Sequence, residues 1–161
     1  MTDEELLAAL RESVRQVLEK MFFAEPLDGG STALEADGLA VRVAFDGSPS
    51  GALVLAITDA AARRVAADFL GEDESSVDSA QTSEVICELA NMICGSILSR
   101  VESQTIFRLA SPTILSADHW RFHFEPGCGR VIHTVQLENG SLTASAEIQE
   151  KLCPTGEKSG Y

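Results

Sequence analysis

Glu88 and Asn91 place a carboxylate and a side-chain amide three residues apart, inside the stretch Glu84-Val-Ile-Cys-Glu-Leu-Ala-Asn-Met-Ile-Cys-Gly95. In a helix that spacing puts both on one face, with Cβ atoms roughly 5–6 Å apart. The pair joins an anion that can grip a cation to an uncharged amide that both donates and accepts hydrogen bonds. The chain has only two asparagines, and the other, Asn139, sits in the turn sequence Glu-Asn-Gly-Ser. Asn91 is thus the single asparagine in a regular element.

The helix that carries the pair is expected from about Thr82 to Val101. At about 100° per residue, Val85, Ile86, Leu89, Ala90, Met92, Ile93 and Ile97 fall on one broad arc, which is the core face. Glu84, Glu88, Asn91, Gly95, Ser99 and Glu102 collect in a narrow stripe on the other side. A glycine in a helix interior costs about 1 kcal/mol relative to alanine. Gly95 lies one turn beyond Asn91, where a missing side chain leaves room for another surface to approach the amide.

Other chemistry-bearing residues lack a constellation. His119, His123 and His133 lie in a region that reads as strands, with no carboxylate or cysteine at metal-ligand spacing. Ser96 and Ser99 have no local base and no nucleophile elbow. None of Cys87, Cys94, Cys128 and Cys153 forms a Cys-x-x-Cys pair. Cys87 and Cys94 would lie roughly 10 Å apart along one helix, too far to bridge, so reduced thiols are expected.

Around the site helix the pattern supplies a scaffold. Asp3 to Phe23 reads as an amphipathic helix, with Thr2 and Glu5 as a capping box. Leu39–Phe45 and Gly51–Ile57 form a hairpin across Asp-Gly-Ser-Pro-Ser. Thr58 is expected to cap a shorter helix that Gly71 stops, and an acidic loop, Glu72 to Ser79, follows. Ile106 to Leu115 reads as a strand bent or placed at an edge by Pro112. Trp120 to Phe124 alternates like a strand. Arg130–Leu137 and Leu142–Ile148 read as a hairpin, the first a candidate sheet edge. The fold class is α/β in the α+β sense: two long helices on one side of a mostly antiparallel sheet, with a duplicated helix-plus-strands order. Residues 1–151 form one domain and 152–161 a flexible tail.

The chain has 161 residues, with acidic side chains outnumbering basic ones 25 to 12 and a formal net charge of -13. That charge opposes nucleic acid and anionic membrane as partners. Neither a secretory signal nor a bilayer-spanning run is expected, which points to the cytoplasm.

Glu84 to Gly95, together with Ser111-Pro-Thr-Ile-Leu115, resembles the signature of the CheC/CheX/FliY family of chemotaxis phosphatases. That signature is Asp or Ser, three residues, Glu, two residues, Asn, and a proline a little over twenty positions on. Glu88, Asn91 and Pro112 match it. The leading position holds Glu84, with Ser83 adjacent, and the first long helix contains no asparagine, so one site per chain is implied, as in a CheX-like domain. The resemblance implies a phosphatase acting on a CheY-like response regulator phosphorylated on aspartate. It assigns Glu88 to dock on the regulator's lysine and Asn91 to position the hydrolytic water. No cofactor is expected on this chain, and Mg²⁺ is expected on the partner. Glu84, Gly95, Ser99, Glu102 and Pro112 are the expected partner-binding residues. A non-catalytic adaptor binding a receiver domain or a scaffold is the alternative, and a homodimer joined through sheet edges is compatible with both.

Overall fold

The computed structural model describes residues 2–28, 38–101, 106–116 and 120–149. The expected tail, Glu102 and His119 lie outside them.

Helix α1 runs Asp3–Met21, and its first turn forms the expected capping box: Glu5 N–H donates to Thr2 Oγ1 and Thr2 N–H to the Glu5 carboxylate. The two-residue strand β1 (Leu27–Asp28) follows, then the hairpin β2 (Gly38–Asp46) and β3 (Gly51–Thr58). Helix α2 spans Asp59–Leu70 and ends on Gly71, whose φ of 69° is the left-handed conformation glycine adopts freely. Helix α3 spans Ser79–Val101. Strands β4 (Arg108–Leu109) and β5 (Thr113–Leu115) precede the hairpin β6 (Arg130–Leu137) and β7 (Gly140–Ile148).

All pairings are antiparallel, in the order β1-β6-β7-β3-β2-β4, with β5 also on β2. β4 and β5 are one outer strand broken at Pro112, which has no N–H to give the ladder. β6 is only in part the edge expected from sequence. β7 covers one side of it, and β1 covers part of the other through Leu27↔Gln136 and Asp28↔Val135.

Because side chains alternate along a strand, the sheet has two distinct faces. Val41, Val43, Leu53, Leu55, Leu142 and Val135 point to the helix side and join the main core. α1 lies on β6 and β7, whereas α3 lies on β2 and β3, and the two helices pack on each other. Each long helix therefore covers the hairpin that belongs to the other half of the chain.

The opposite face corrects the reading of Trp120–Phe124, which is a short 3-10 helix instead of a strand. Among its described side chains only Phe124 is buried, against Ala40, Val54 and Ala56. Arg130 fixes the segment by donating from Nη1 to the carbonyls of Phe122 (3.2 Å) and Glu125 (2.9 Å), so its backbone is held without a neighbouring strand. His123 has its pKa lowered by partial burial and then by the guanidiniums of Arg42 and Arg130.

Thr58 occupies the N-cap position of α2 but does not cap it. Its hydroxyl instead accepts from Ser141 N–H at 3.2 Å and ties β3 to the start of β7. Gly51 is demanded by close packing, since a Cβ there would overlap the Glu147 carbonyl oxygen.

In α1, Ser13 is fully buried and its hydroxyl has no hydrogen-bond partner among the described residues. An orphaned buried hydroxyl costs about 1–3 kcal/mol, and alanine is also the better helix former. Ser13→Ala is expected to stabilise the protein by about 1 kcal/mol or more, read as a higher urea midpoint with an unchanged slope.

Candidate active site

α3 buries Thr82, Val85, Ile86, Leu89, Ala90, Ile93, Cys94, Ile97 and Leu98. The arc is wider than the sequence reading, because Cys94 and Leu98 belong to the core and Met92 is only half-buried against it. A small buried thiol behaves as a hydrophobe, which the apolar pattern alone does not show.

The predicted stripe lies on the remaining surface of α3. Glu84, Glu88 and Ser99 are exposed, and Asn91 and Gly95 are half-buried. Among the described residues, neither Glu88 nor Asn91 has a hydrogen-bond or ion-pair partner. Some charges on the other helices are committed: Arg15 pairs with Glu12 and with Glu19 (2.8 Å), and Arg64 with Asp68 (3.2 Å). The stripe thus holds an uncommitted carboxylate beside an uncommitted amide.

A Cβ built on Gly95 would meet nothing within 4 Å. No contact inside the chain therefore requires glycine there, which separates Gly95 from Gly51. Pro112 is half-buried in the break of the outer strand and sits on a different element from the stripe, although α3 touches the adjoining β5.

Cys87 is one helical turn before Asn91 and was not among the expected site residues. Its thiol pKa is raised by partial burial and by the Glu84 carboxylate, while burial pushes the Cys94 thiol up to about 12. Both stay protonated near neutral pH, so neither is an activated nucleophile. Cys87, Cys94 and Cys128 are not in disulfide bonds. Among the described residues no group of three or more His, Cys, Asp or Glu side chains could hold a metal, and no helix is long and apolar enough to cross a membrane.

With this geometry in place, comparison with known proteins identifies the chain's relatives. The family model of the chemotaxis phosphatase CheX matches residues 39–135, more than half of the chain. The chain belongs to the CheX family. A chain of the CheX–CheY–BeF3–Mg²⁺ complex from Borrelia burgdorferi is similar at 20% identity and a TM-score of 0.68, covering 89% of this chain and 97% of that one. A CheC-like superfamily protein from Shewanella sp. PV-4 matches at 17% identity and a TM-score of 0.71, covering 91% and 99%. FliY from Thermotoga maritima matches at 15% identity and a TM-score of 0.55, covering 91% of each chain. No match was found among curated proteins. The α+β fold with its antiparallel sheet is that of CheX and CheC-like proteins.

Two outcomes follow from the site's geometry. Gly95→Ala is expected to stabilise the isolated protein by about 1 kcal/mol, seen as a higher melting temperature, because the added methyl meets no neighbour. At pH 8, iodoacetamide is expected to leave Cys94 unmodified in the folded protein and to alkylate Cys87 more slowly than free cysteine, as mass spectrometry of peptides would show.

Proposed function

We propose that this CheX-family protein is a phosphatase that dephosphorylates a CheY-like receiver domain carrying an aspartyl phosphate, with Glu88 and Asn91 as its working residues. The observation that carries this reading is the uncommitted Glu88–Asn91 pair beside the open clearance at Gly95, on a helix whose other sides are buried. The CheX–CheY structure to which the chain is similar supports the choice of partner.

The chemistry fits the side chains. Hydrolysis of an acyl phosphate forms a bond from water oxygen to phosphorus and breaks the bond from phosphorus to the aspartate oxygen. Phosphate and a free carboxylate leave, and the water proton goes to the products. The transition state is loose, so the water needs placement more than early deprotonation. Asn91 can accept from that water through its carbonyl and donate through its amide, without bringing negative charge toward the phosphoryl group. Glu88 would pair with a lysine at the rim of the receiver's pocket and set the helix at the right depth. Mg²⁺ carried by the receiver would offset charge on the phosphoryl oxygens. Glu84 and Ser99, exposed on the same stripe, and Pro112, in the break of the outer strand, would contact the receiver farther out, with Glu102 expected to extend the stripe.

The test is loss of phosphate from a phosphorylated receiver. The wild-type protein is expected to accelerate it. Asn91→Ala should reduce the acceleration by about 100-fold while binding persists, because a misplaced water costs rate more than affinity. Glu88→Ala should weaken binding by about tenfold or more through loss of a charged hydrogen bond. Gly95→Ala should lower affinity although it stabilises the free protein. Binding without acceleration by the wild type would instead identify a non-catalytic adaptor, the alternative that Glu84 at the leading motif position leaves open.

A further inference from the structure

A second surface lies on elements that do not include α3. After α1 the chain turns through Phe23 with a φ of 56°. That left-handed conformation is unfavourable for a residue with a side chain. Burial does not recover the cost, since Phe23 is 72% exposed and nearby Leu27 is 66% exposed. The neighbouring Phe22 behaves in the opposite way: it is fully buried and stacks on Phe69 at 4.6 Å between ring centroids. Neither backbone preference nor core packing accounts for an aromatic residue at position 23.

Phe23 and Leu27 border a cavity of about 340 Å³ whose lining includes Ala61, Val65 and Leu137. Its polar lining includes Glu25, Asp68, Glu138 and Arg64. Arg64 is already committed, with Asp68 at 3.2 Å, Glu138 at 3.3 Å and Glu74 at 3.6 Å. Three lining carboxylates, those of Glu25, Asp68 and Glu138, therefore stand against one guanidinium, which also reaches Glu74 outside the lining. The site combines an apolar interior with a rim that holds excess negative charge.

We propose that this cavity docks a peptide segment of a partner protein, one that presents an apolar side chain flanked by lysine or arginine. The cavity takes the apolar group, Phe23 and Leu27 close over it, and the surplus carboxylates pair with the flanking cations. A second copy of the chain is the poorer occupant, because a molecule with a net charge of -13 would bring further negative charge to an acidic rim. This docking site is separate from the Glu88–Asn91 stripe and does not depend on its role.

The experiment titrates the isotope-labelled full chain with two short synthetic peptides that share a Leu-Phe pair. One is flanked by lysine and arginine, the other by aspartate and glutamate. Amide shifts are expected at Phe23, Ala24, Val65, Gln136 and Glu138 with the basic peptide only. Phe23→Gly suits the backbone and should keep the fold, checked by its melting curve. It should weaken binding by about tenfold, as should Glu25→Lys, while phospho-receiver hydrolysis is unchanged. Absence of shifts, shifts confined to α3, or equal binding of the acidic peptide would overturn the proposal. So would concentration-dependent dimerisation in sedimentation that Phe23→Gly abolishes.

Discussion

The two halves of this chain are interlocked, and the rest of the structure depends on it. α1 covers the β6–β7 hairpin and α3 covers β2–β3, so each half supplies the apolar surface that the other must bury. β7 and β3 join the hairpins at the centre of the sheet, pairing from Gly51↔Ile148 to Ile57↔Leu142. Neither half has a complete core by itself. Leu89, Ile86 and Ile93 on α3 are all fully buried in the shared core, and side chains of that size each contribute roughly 1.5–3 kcal/mol on burial.

The same constraint confines the chemistry. Packed on α1, α2 and the sheet, α3 retains only one stripe at the surface, and Glu88, Asn91 and Gly95 occupy it. A mostly buried helix is a good mount for the water-positioning role proposed for Asn91, because its packed backbone resists displacement when a partner docks. Among the described residues, Glu88 and Asn91 also lack partners within the chain. A pair that is left uncommitted keeps its hydrogen-bonding capacity for another molecule, whereas Arg64 and Arg15 spend theirs on neighbours within the chain.

The second face of the sheet shows where local pattern runs out. Trp120 to Phe124 alternates polar and apolar residues as a strand does, but five residues cannot distinguish strand periodicity from a turn with one anchored ring. The anchor, Phe124, packs on Ala40, Val54 and Ala56 of distant strands, and the clamp, Arg130, lies beyond the segment, so the five residues do not encode their own conformation. Thr58 teaches the same lesson: its position is that of a helix cap, yet a residue far along the chain, Ser141, claims the hydroxyl. The hairpins, by contrast, were legible nearly to the residue, because strand alternation and turn chemistry are both local. Gly51 and Gly95 look alike in the sequence. Only packing separates them, since one lies against a carbonyl and the other against open space.

By itself the sequence determined the long helices, the two main hairpins, the polar stripe with its Glu-x-x-Asn pair and the family it resembles. These follow from periodicity, turn residues and short spacing, which act over a few residues. Only the tertiary structure decided that each helix serves the opposite half, that β6 is partly covered, that Cys94 and Leu98 belong to the core, and that Phe23 and Leu27 border an acidic-rimmed cavity. Those features depend on which distant surfaces meet, and burial is a property of the assembled chain.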